Sequence, residues 1–211
     1  MNRAHRPTVI AGVAAALLAN FWVLEDPLAR HTDFSEAWIS DLAARTQSGG
    51  WRFQLLEIAA GLAIAGFAWL LLRRQGERSP LLRRGLLALL AAGLLAAIGG
   101  AAPLNCAEAL EHGCELSYDP FDLVHTTANL LEVAALVGAF AGVGLGLTRL
   151  HPRDRLGRAT LTIAAVWLAL MAVAGLGYLV GDVGEFKGLL QRGAQLLFGG
   201  WLVLLGLRLS E

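Results

Sequence analysis

The stretch Asp119-Pro120-Phe121-Asp122-Leu123-Val124-His125-Thr126-Thr127-Ala128-Asn129-Leu130-Leu131-Glu132 decides how this chain is built. Proline is tolerated in the first turn of a helix, so Pro120 predicts a helix start. The segment then runs directly into apolar sequence. On that helix Asp122, His125, Asn129 and Glu132 are spaced three, four and three residues apart and form one polar stripe. Ionisable groups entering an apolar helix are costly and need partners or water.

Working outward, the chain of 211 residues is 56% hydrophobic and only 16% charged. Soluble domains carry roughly a quarter charged residues. Six apolar runs approach the length that spans a bilayer, about 20 residues: 8–24, 53–72, 85–102, 123–147, 161–180 and 189–207. Backbone groups in lipid must satisfy their own hydrogen bonds, so these runs predict helices. The expectation is one all-α domain over residues 1–211, a polytopic membrane bundle of six transmembrane helices arranged as three hairpins. The first run has a basic start like a signal peptide. It is long for that role, and Asn20-Phe21-Trp22 offers no small-residue cleavage site, so it reads as a retained span.

A formal net charge of zero conceals a partition. Arginines gather in the N-terminal tail, at Arg73–Arg84, at Arg149–Arg158 and at Arg208. The remaining loops hold most of the acids, among them Asp26, Asp33, Glu108, Glu115, Asp182 and Glu185. The positive-inside rule places both termini in the cytoplasm and loops one, three and five outside. The expected location is the plasma membrane, of bacterial inner-membrane type. Cys106 and Cys114, the two cysteines, fall in the third loop on that outer side. A disulfide is expected there; two free thiols or metal ligands is the other reading, although the eight-residue spacing is not a zinc signature.

A faint repeat accompanies the stripe. Leu55-Leu56-Glu57, Leu130-Leu131-Glu132 and Leu189-Leu190-Gln191 each stand early in a helix running inward from an outer loop. In the first loop Trp38, Ile39 and Leu42 suit one side of a short helix on the membrane face, and Ser40-Asp41 suits either a helix cap or a site. Gly138 and Gly142 have the GxxxG spacing of close helix packing, and Gly99-Gly100 allows close approach or local unwinding.

The chain resembles the domain of unknown function 998 family. The resemblance rests on Ile39-Ser40-Asp41-Leu42, the Cys106 and Cys114 loop, His125, and Gly188-Leu189-Leu190-Gln191-Arg192, and it covers essentially the whole chain. It implies six spans and no established activity. That family is in turn distantly similar to other six-span families linked to lipid or anchor processing, which is analogy. The short interval between Cys106 and Cys114 and the depth of Glu132 depart from the pattern.

The candidate outer constellation is Ser40, Asp41, Asp122 and His125 as a catalytic set, with Glu57, Asn129, Glu132, Gln191 and Arg192 as ligand-binding residues. Histidine beside acids is the usual proton-transfer unit, with His125 as carrier and Asp122 or Asp41 orienting it. Ser, His and Asp also compose nucleophilic triads. Arg192 suits a phosphate or carboxylate, or neutralises Glu132 or Glu57. The competing reading is a structural lock that holds the helices together.

His31, His112 and His125 lie in different contexts, so no metal site is expected. No cofactor motif and no nucleic-acid partner is expected. Three functions stay open: an enzyme or binding protein for a lipid or small amphiphile, a non-catalytic subunit of a larger membrane complex, and a proton or solute transporter. The last ranks lowest, because transporter sites favour the midplane.

Overall fold

A computed structural model describes residues 6–25, 35–107, 109–111, 113–114, 119–180 and 186–209. Asp26, His31, Asp33, Glu108, His112, Glu115, Asp182 and Glu185 lie outside the described residues, as does Arg3. Six α-helices follow one another: α1 (Arg6–Ala19), α2 (Gly50–Gln75), α3 (Pro80–Ala101), α4 (Pro120–Leu150), α5 (Arg155–Val180) and α6 (Lys187–Arg208). No strand occurs among the described residues. Each apolar run of the sequence overlaps one of these helices.

Four helices are long and apolar enough to cross a membrane: Gly50–Gln75, Pro80–Ala101, Pro120–Leu150 and Arg155–Gly177. The helix α1 is shorter than its apolar run, with 14 residues. It ends because the Asn20 amide donates to Ala16 O at 2.9 Å, a side-chain bond that competes with the helical ladder. A 3₁₀ turn over Phe21–Leu24 follows. In α6, Gln191, Arg192 and Gln195 interrupt the apolar sequence.

Each helix packs on its neighbour in sequence, and α6 packs back on α1, so the six close a ring. Small residues set the spacing. A Cβ on Gly142 would stand 2.5 Å from Gly85 Cα, and one on Gly93 would stand 2.5 Å from Ala65 N. The backbones of α3 and α4, and of α2 and α3, meet at these points. The glycine pair working in α4 is therefore Gly142 with Gly146, whose Cβ would lie 2.7 Å from Leu82 N; at Gly138 the nearest atom is Ala88 Cβ at 3.4 Å.

Inside the ring, Phe140, Phe198 and Trp201 are buried, with Phe140 and Trp201 ring centroids 4.5 Å apart. Outside, Leu17, Leu62, Leu94, Leu130, Leu176 and Leu196 are exposed, one on each helix. An apolar exterior on every helix is what a lipid environment accommodates and water does not.

The first long connection folds onto one end of the ring. Ile39–Ala43 is a 3₁₀ helix, and its Ile39 and Leu42 are buried with Phe21, Phe53 and Ala60. Arg45 ties this segment to the third loop and to α4: its N–H donates to Leu104 O at 2.9 Å, and its guanidinium meets Asp119 at 2.9 Å. Asp119 caps α4 by accepting from Phe121 N at 2.8 Å. The Phe121 amide first, and then Arg45, hold the Asp119 carboxyl below the usual range. Thr46 first, and then Gln47, do the same for Glu111 by donating to its carboxylate. Cys106 and Cys114 stand at disulfide distance in this layer, Cα–Cα 5.9 Å.

Candidate functional site

Beneath that layer lies a cavity of about 430 Å³, to which all six helices contribute. Its apolar wall includes Ala60, Ile64, Leu136, Trp167 and Met171. Its polar wall includes Ser40, Glu57, His125, Asn129, Glu132, Gln191 and Gln195. The three echoes of the sequence, at Glu57, Glu132 and Gln191, thus converge on one space. Leu130, 68% exposed, is among its lining residues on α4. One turn further along α4 and α6, Phe140 and Phe198 fill the ring.

The polar residues divide into two groups. The first is tied to backbone. His125 lies 3.0 Å from Gly99 O and 3.1 Å from Ala102 O through Nδ1. Two carbonyls can only accept, so Nδ1 carries the proton and Nε2 is the acceptor, taking the Asn129 amide at 2.7 Å. The ring serves carbonyls at the C-terminal end of α3, where Ala102 N is shared between Ile98 O and Gly99 O. Asp122, buried beside it, accepts from Asn105 N at 2.7 Å. Asp41 accepts from Trp38 N at 2.9 Å, a capping contact within its own 3₁₀ turn. No hydrogen bond joins Asp41 or Asp122 to His125; backbone carbonyls orient the imidazole instead.

Arg192 belongs to this group too. It does not neutralise Glu57 or Glu132. Its Nη2 donates to Glu25 at 2.7 Å and its Nη1 to Ala37 O at 2.7 Å, all deep inside the protein. The next residue back, Gln191, accepts from Ile39 N at 2.7 Å. Together they clamp α6 to the end of the first helical segment and to the first loop.

The second group is Glu57 and Glu132. Glu57 Oε2 is buried with no hydrogen-bond partner among the described residues. No hydrogen bond or ion pair to a described residue holds Glu132, which lines the same cavity as Glu57. Space for these side chains comes from α3. A Cβ on Gly99 would meet Asn129 Oδ1 at 3.1 Å and Glu57 Oε1 at 3.7 Å, and one on Gly100 would stand 3.0 Å from Glu57 Cβ. The glycine pair therefore admits polar side chains, and α3 stays helical through it. A second buried atom without a partner among the described residues is the donor Trp167 Nε1, on a residue that also lines the cavity.

Sequence reasoning brought forward Ser40, Glu57, His125, Asn129, Glu132 and Gln191, and the fold gathers all six around one cavity. It placed Asp41, Asp122 and Arg192 there as well; these make the contacts just described. It passed over Gln195 and Trp167 on the wall and Glu25 as the Arg192 partner. Gln195 stands one turn after Gln191, which is the one signal that pointed to it.

No curated protein and no solved structure matches this chain. A family model does match, over residues 10–208, nearly the whole length. The chain belongs to the family described as "Protein of unknown function (DUF998)".

Proposed function

We propose that this protein sits in a membrane, with all six helices crossing and the arginine-rich ends in the cytoplasm, and that its cavity binds a small amphiphile. The observation that carries this reading is Glu57, which lines a 430 Å³ space and whose Oε2 is buried without a hydrogen-bond partner among the described residues. A buried polar atom left unpaired costs about 1–3 kcal/mol, so such atoms are kept where an occupant supplies the missing bond. Glu57 and Glu132 call for a head group that donates hydrogen bonds, of amine or hydroxyl type. Trp167 Nε1 calls for one acceptor on the same molecule. The wall of Ala60, Ile64, Leu136 and Met171 suits an apolar tail. Leu130, an exposed apolar residue of α4 that also lines the cavity, favours entry from lipid over entry from water.

Trp167 reports on occupancy, because it is 2% exposed and lines the cavity. A long-chain amine with a brominated tail, added to the purified protein, quenches a component of tryptophan emission that is missing in Trp167→Phe. Identical quenching in the two proteins contradicts the reading.

A further inference from the structure

At the opposite end of the bundle lies a second recess, of about 730 Å³. Its cations come from three separate parts of the chain: Arg78 between α2 and α3, Arg153 and Arg155 where α4 passes to α5, and Arg208 at the end of α6. None of these four guanidinium groups pairs with a carboxylate among the described residues. The one acid on the wall, Asp154, is committed locally, accepting from Gly157 N at 2.7 Å as α5 begins. The recess is held in shape from below, since Gln75 donates to Leu209 O at 2.7 Å and so links the ends of α2 and α6.

Unpaired guanidinium groups facing one concavity repel each other, and an anion placed among them removes that cost. Phosphate is an anion whose geometry arginine's planar fork matches with two hydrogen bonds. Leu147, Leu150, Leu156 and Leu209 line the same recess, so it offers an apolar surface directly beside the cations. A free phosphate has no use for that surface, whereas a lipid phosphate brings acyl chains to it. A cluster of arginines on one side of a membrane protein is by itself a topology signal. Topology requires only their count in short loops, and it does not require convergence on one recess with a leucine wall.

We propose that this recess binds the phosphate head group of an anionic membrane lipid. The site is independent of the cavity at the other end and stands or falls separately from it.

Thermal unfolding in neutral detergent tests the proposal, with phosphatidylglycerol, phosphatidylcholine or inorganic phosphate added in turn. Phosphatidylglycerol well above its dissociation constant raises the midpoint by about 5 °C. Arg153→Gln with Arg155→Gln loses most of that shift, and Arg208→Gln alone, on another helix, loses part of it. Arg83→Gln with Arg84→Gln removes the same charge from the same end outside the recess and keeps the full shift. Equal loss in both double variants overturns the proposal, because the effect is then diffuse. An equal shift with phosphatidylcholine overturns it, and so does a full shift with inorganic phosphate alone, which makes the ligand a free anion.

Discussion

Arg192 on α6 and Glu25, just beyond α1, form an ion pair at 2.7 Å whose side chains are 3% and 0% exposed. The two residues are 167 positions apart. The contact helps close the ring where its last helix meets its first. Breaking a buried pair from one side leaves a charge without its partner, at a cost of about 3–5 kcal/mol. Arg192→Met therefore lowers the unfolding midpoint strongly, and Glu25→Gln does likewise. The double variant loses less than the sum of the two. Additive losses in a double-mutant cycle contradict direct coupling.

His125 behaves as a fastener in this geometry. Its Nδ1–H serves the carbonyls of Gly99 and Ala102. Replacement by alanine removes that donor, with a loss of about 1–3 kcal/mol. His125→Ala lowers the midpoint in detergent accordingly. An unchanged midpoint removes the fastening role and returns His125 to the set of groups free for chemistry.

Acid acts on the loop layer. The Asp119 and Glu111 carboxyls are both held below their usual range by the bonds they accept. A carboxyl depressed in the folded state contributes stability that is present above its unfolded value, about 4, and is lost as pH falls through the folded value. Loss of these ties frees the segment that holds Cys106 and Cys114. At pH 7 a phosphine reductant opens the cysteine pair several-fold faster in Asp119→Asn than in the natural protein. As pH falls through the depressed folded value of Asp119 the ratio of rates approaches one, because acid then cancels the Asp119 charge. A ratio of one at pH 7 contradicts the tie.

Much of the architecture was legible in the sequence, for simple reasons. Long apolar runs have one backbone solution, so all six helices could be read from composition alone. The spacing in 119–132 placed Asp122, His125, Asn129 and Glu132 on one stripe, and the echo at Glu57 and Gln191 marked further cavity-lining positions. Rotation of each helix about its own axis was not legible. It decides that Arg192 faces Glu25 and leaves Glu57 without a cation, and it follows from packing around the whole ring. The end of α1 was also hidden, because Asn20 bonds back to Ala16 within an apolar run. Trp167 gave no sign of its place on the cavity wall, since an apolar residue on an apolar helix looks alike from either side.

Glu57 and Glu132 carry the central claim. Leucine at both positions removes the Glu57 carboxyl, whose Oε2 is buried without a partner among the described residues, and the Glu132 carboxyl on the same cavity, so a purely structural account loses no hydrogen bond to a described residue by it. The deciding measurement is the number of amphiphile molecules that each chain retains in non-denaturing mass spectrometry from mild detergent, read beside the unfolding midpoint. The account predicts one retained molecule in the natural protein and none in Glu57→Leu with Glu132→Leu, whose midpoint equals or exceeds the natural one. Retention unchanged by the double substitution, or a lowered midpoint with no molecule retained by either protein, would contradict it.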